Sequence, residues 1–162
     1  MAIEVPGDLQ IQPLGGEPRT VEEWLITFHL LLVVVDPYTH ESSWILDTAR
    51  RIMAGFSEAD IRVAWLVTAD ADDAKEFLGP LADEALTLLD PERALVEALE
   101  LETVPALVHL GQDRTVNGSS GGWNPPEWSA IAREVARQMH WSVPLIPASG
   151  DPRPYAGSAA RG

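Results

Sequence analysis

The chain has 162 residues, with 11 basic side chains against 25 acidic ones, a formal net charge of −14 and a pI near 4.5. That balance disfavours phosphate-rich partners, nucleic acid and anionic membrane surfaces alike, while 46% hydrophobic and 22% charged residues describe one globular domain rather than a disordered chain. Cysteine is absent, which excludes disulfides, thiolate metal sites and cysteine catalysis.

Residues 1–20 carry acids and prolines, with neither a basic leader nor an apolar segment of export length. The longest apolar run, Leu30 to Val35, is far short of the roughly 20 residues that cross a bilayer. A cytoplasmic protein without membrane insertion is the expectation. The first nineteen residues read as an extended arm, 20–142 as the domain, and 143–162 as a tail.

Thr20 and Glu23 form a capping-box pattern ahead of Trp24, Leu25 and Phe28. His29 to Val35 is a short, unbroken β-branched run ending at Asp36-Pro37, which predicts a strand buried on both faces. Residues 42–56 place Ile45, Ala49, Ile52, Met53 and Phe56 on one helical face. Ile61 to Thr68 predicts a second buried strand, Asp72 to Leu78 a short helix and Leu86 to Leu89 a third strand. Asp90-Pro91-Glu92 reads as a helix start, with Asp90 capping and the helix running to about Glu100. Ala106 to Leu110 and Arg114 to Asn117 flank Gly111-Gln112-Asp113 as a hairpin, and Gly118 to Gly122 reads as a loop. Pro125 to His140 is a last amphipathic helix, with Trp128, Ile131, Ala132, Val135 and Met139 inward. Beyond Val143 the chain is rich in Pro, Gly, Ala and Ser and has no period. Strands alternating with helices, then a late hairpin, predict an α/β fold of three layers.

This order resembles the thioredoxin-like superfamily. Two stretches carry the likeness: LLLVVVD followed by a short loop and a helix near Ser42, and Glu102-Thr103-Val104-Pro105-Ala106-Leu107-Val108, which is similar to the family's cis-proline loop entering a strand. Leu89-Asp90-Pro91 to Leu101 followed by VPALVHLGQDRTV is most similar to the peroxiredoxin and TlpA-like branch, and the resemblance spans residues 20–140. It implies a central mixed sheet flanked by helices and a site where the first long helix begins. The family's Cys-x-x-Cys would fall on Thr39-His40-Glu41-Ser42. Hydroxyls cannot attack a disulfide sulfur, so a degenerate, redox-inactive member is implied.

The resemblance also places Thr39, His40, Glu41 and Ser42 beside Val104 and Pro105 as a binding groove, where the main chain of Val104 is free to pair with an extended peptide. The alternative, in which Thr39 to Ser42 is only a helix start, stays open. His29, His40, His109 and His140 lack metal-ligand spacing, so no metal and no cofactor are expected. Trp44 and Trp65 suit core faces, whereas Trp123, Trp128 and Trp141 are candidates for an interface as much as for the core. The reading is a protein-binding, assembly or chaperone-like accessory factor, similar in kind to cysteine-less accessory factors of redox-enzyme maturation. No catalytic residue is assigned. A non-redox enzyme or ligand site at Thr39 to Ser42, and a homo-oligomer or subunit of a larger complex, are the alternatives.

Overall fold

The computed structural model describes residues 2–161. The arm supplies β1 (Gln10–Pro13) and β2 (Arg19–Thr20), followed by α1 (Val21–Trp24). β3 (His29–Val35) leads into α2 (His40–Ser43) and α3 (Leu46–Gly55), and β4 (Ile61–Val67) into α4 (Ala71–Leu78) and α5 (Leu81–Glu84). β5 (Leu86–Leu89) precedes α6 (Ala94–Ala98), after which come β6 (Thr103–Val104), β7 (Ala106–Leu110), β8 (Val116–Gly121), α7 (Pro125–Met139) and β9 (Ser158–Ala159).

Seven strands form one mixed sheet in the order β2-β1-β5-β4-β3-β7-β8, and β6 pairs with β9 apart from it. β3, β4 and β5 run parallel, while β7 and β8 continue antiparallel on one side and β1 on the other. β3 lies inside the sheet, between β4 and β7, and six of its seven residues are apolar and fill both faces. Leu31, Val33 and Val35 pack with Ile45, Ile52, Trp65, Trp128 and Val135 under α3, α4 and α7. Leu30, Leu32 and Val34 pack with Trp24, Leu95, Leu99, Val104 and Val108 on the opposite face. Three layers therefore follow directly from the alternation of one strand.

Several expectations change in detail. The helix read over 42–56 breaks at Trp44–Ile45 into α2 and α3, although Ile45, Ala49, Ile52, Met53 and Phe56 are all buried. Asp90 does not start a helix. Asp90-Pro91-Glu92 is a turn, Arg93 takes φ 60°, and α6 begins at Ala94, with the Asp90 carboxylate accepting from Leu95 N (3.1 Å) and Val96 N (2.9 Å). Gly118 to Gly121 belongs to β8 and not to a loop. The sheet overrides glycine's weak strand propensity because α7 crosses so closely that a Cβ on Gly118 would lie 3.0 Å from Ile131 Cγ1.

The tryptophans also resolve. Trp123 (1% exposed) and Trp128 (0%) stack edge to face, 5.0 Å between centroids, inside the core. Trp128 on α7 and Trp123, just ahead of that helix, both turn inward onto the sheet. Trp44, expected inside, is 54% exposed, since the break between α2 and α3 rotates it off the core face. Trp141 stays at the surface beside exposed Val143 and Leu145. No helix among the described residues is long and apolar enough to cross a membrane.

Candidate functional site

β3 delivers the chain into Asp36, whose carboxylate is buried and fixed from two sides. Oδ1 accepts from Tyr38 N (2.9 Å), and Oδ2 pairs with Arg93 Nη2 (3.0 Å). The loop that follows is closed by its own hydroxyls. Ser42, fully buried, accepts from Asp36 N (2.9 Å), and Thr39 Oγ1 donates to Asp36 O while lying 3.2 Å from Ser42 Oγ. Thr39 stands at the N-cap position of α2 yet makes no side-chain cap, because its hydroxyl is turned back onto the loop. Thr39 and Ser42 thus bond to each other and to the Asp36 main chain. His40 is exposed, and Glu41 is half-buried at the rim.

Val104 and Pro105 form the second wall. The Val104–Pro105 bond is cis, and both residues are buried. Val104 sits at 0% exposure, its side chain in the core, so only its main chain is turned toward the neighbouring segment. That main chain is not free, in contrast to the sequence expectation. β9 lies on it antiparallel, with Thr103 opposite Ala159 and Val104 opposite Ser158. Ala160 N donates to Glu102 O (2.9 Å), extending the pairing by one bond.

The same segment joins the two walls. Ser158 Oγ donates to Glu41 Oε2 (2.6 Å), and Tyr155 OH donates to Glu41 O (2.7 Å). The Ser158 hydrogen bond holds the Glu41 carboxyl below its ordinary range, and burial pushes the Tyr155 phenol upward. Tyr155 also exchanges main-chain bonds with Trp123 (2.8 and 3.1 Å) and stands edge-on to Trp44 at 5.3 Å. Glycines permit the close approach: a Cβ on Gly122 would fall 2.4 Å from Ala156 O, and one on Gly157 would fall 2.5 Å from Val104 O. The structure therefore brings Glu41 and Val104 together through Ser158. Ser158, Gly157 and the Asp36–Arg93 pair were not singled out from sequence, since no local period or motif marks them.

At the far end of β3, His29 Nδ1 lies 2.9 Å from His109 Nε2, their rings stacked at 5.2 Å. β3 and β7 bring them together, because Leu31 opposite His109 puts His29 on the same face. Burial, then the neighbouring His29, pushes His109 down to about 4. Among the described residues no group of three or more His, Asp or Glu is arranged to hold a metal ion.

No family model and no curated protein matches the sequence. Solved structures do match the fold. A secreted disulfide oxidoreductase of Mycobacterium tuberculosis aligns over 76% of this chain and 92% of its own, at 16% identity and a TM-score of 0.57. A mutant of peroxiredoxin 6 of Arenicola marina covers 83% of this chain and 74% of its own, at 16% identity and a TM-score of 0.61. A hypothetical protein of Sinorhizobium meliloti covers 99% of this chain and 94% of its own, at 14% identity and a TM-score of 0.65, so that match extends over the C-terminal segment too. The chain has the thioredoxin-like fold, and no cysteine with which to run disulfide chemistry on it.

Proposed function

We propose that this chain is a protein-binding accessory factor that uses a thioredoxin-like fold for recognition rather than for redox chemistry. One observation carries the reading: the strand entering the cis proline already holds an extended segment in antiparallel register, between Glu41 on one side and Val104 on the other. A sheet edge that accepts an extended chain supplies affinity through main-chain bonds and selectivity through the flanking side chains. The hydroxyls of Thr39 and Ser42 are spent on their own loop, and Glu41 on Ser158 and Tyr155, which favours binding over a non-redox catalytic role for these groups.

The test is photo-crosslinking in host lysate from a reactive side chain replacing Glu102, exposed beside β6, against the same group replacing Arg133, exposed on α7. A protein partner crosslinked from position 102 and not from 133 is the expected result. Crosslinks from 133 alone, or from neither position, contradict the reading.

A further inference from the structure

The segment after α7 falls into two halves that are held differently. The first is clamped to α3. Arg51 pairs with Asp151 (2.7 Å) and donates to Leu145 O, Thr48 Oγ1 donates to Asp151 Oδ1 (2.9 Å), and Ile146 is buried. The second half, residues 152–161, crosses from there to the Val104 strand and buries almost no apolar surface. Ala160 is its one fully buried apolar side chain among the described residues, with Tyr155 half-buried. Its hold consists of hydrogen bonds to Trp123, Glu41, Val104 and Glu102, each of modest net worth.

We propose that residues 152–161 are a tethered occupant of a peptide-binding groove, and that the groove's partner is an extended protein segment of the same chemistry which displaces them. The contacts specify that chemistry position by position. An aromatic residue stands where Tyr155 lies against Trp44. Glycine is required where Gly157 takes φ 86° and a Cβ would strike the Val104 carbonyl. A hydroxyl follows, to donate to Glu41, then small residues where Ala159 and Ala160 lie. A basic residue comes last, because Arg161 shares a cavity of about 350 Å³ with Glu100 and Glu102. The net charge of −14 draws a basic segment to this rim. The resident copy, held at high local concentration by the α3 clamp, raises the bar for any competitor and so sets the groove's selectivity.

The inference rests on the reading of this face as a recognition surface, but its test needs no cellular partner. A fluorescent peptide of residues 152–161 is titrated against the full chain and against the full-length variant Gly157→Val, whose own segment cannot seat. Anisotropy is expected to show at least tenfold tighter binding to the variant, because the groove is no longer self-occupied, and no binding of a peptide carrying the same Gly157→Val change. Equal affinity for both proteins, or no binding to the folded variant, overturns the proposal. Should Gly157→Val fail to fold, the full-length double variant Tyr155→Phe, Ser158→Ala removes both bonds to Glu41 and takes its place with the same expected ordering. Peptide binding without crosslinks at position 102 would uphold the occupant and refute the protein-partner reading; crosslinks at 102 without peptide binding would do the reverse.

Discussion

His29 and His109 carry the molecule's clearest internal titration. Their facing nitrogens, 2.9 Å apart, are joined by one hydrogen bond, which is lost when both rings are protonated and two cations face each other at the sheet. Burial, then the charge of His29, holds His109 at about 4, with Glu134 opposing; burial lowers His29, with Asp113 opposing. A folded-state pKa below the unfolded value near 6.5 means that the unfolded chain takes up the proton first. The stabilisation is therefore complete above about pH 6.5 and is lost as pH falls toward 4, by roughly 3 kcal/mol for His109. Urea unfolding at pH 7 and pH 4 should show this loss in the wild type and a smaller one in His109→Leu; identical losses would refute the assignment. Arg93 supports the loop after β3 through its ion pair with Asp36. Asp36 is 2% exposed, so Arg93→Met leaves its carboxylate buried without a cation and should cost about 2–3 kcal/mol in the same assay.

Among the elements, α7 and β3 are the ones whose sequences dictate their places. Trp128 on α7 fills the space against Trp123 with its Nε1 donating to Gly122 O (3.0 Å), so Trp128→Ala should destabilise the fold by about 3–5 kcal/mol. An effect under about 1 kcal/mol would place the ring at a surface instead. The central strands were legible because a β-branched run between turn residues has few alternatives, and α7 because Asn124, Pro125, Pro126 and Glu127 mark its start ahead of a clear apolar period. β8 was legible only at its start, as the second strand of the hairpin: Gly118 to Gly121 has little strand propensity, and only pairing with β7 and the crossing of α7 make it a strand. The start of α6 was misplaced because Asp90 reaches past a turn to donors at Leu95 and Val96, a span that local capping rules do not cover. The tetrad Thr39 to Ser42 was located by resemblance, but its inward hydrogen bonding depends on Asp36, which spacing alone does not relate to it.

At the scale of the whole molecule, the C-terminal segment ties together elements far apart in the chain. Read as sequence it has no period and no core. In the structure its first half is pinned by a largely buried acid, Asp151, and its second half lies across the face where Glu41 and Val104 meet. Its contacts reach far back in the chain, across 100 residues from Asp151 to Arg51 and 117 from Ser158 to Glu41, so no local pattern could announce them. With residues 152–161 as a releasable occupant beside a permanent central sheet, native-state amide exchange separates the two without any variant or ligand. The amides of Tyr155 and Ala160, bonded to Trp123 O and Glu102 O, should exchange at least about a hundredfold faster than those of Leu32 and Val34 in β3, through local opening of the segment. Exchange of all four at one common rate, set by global unfolding, would contradict it and make the segment a fixed part of the core.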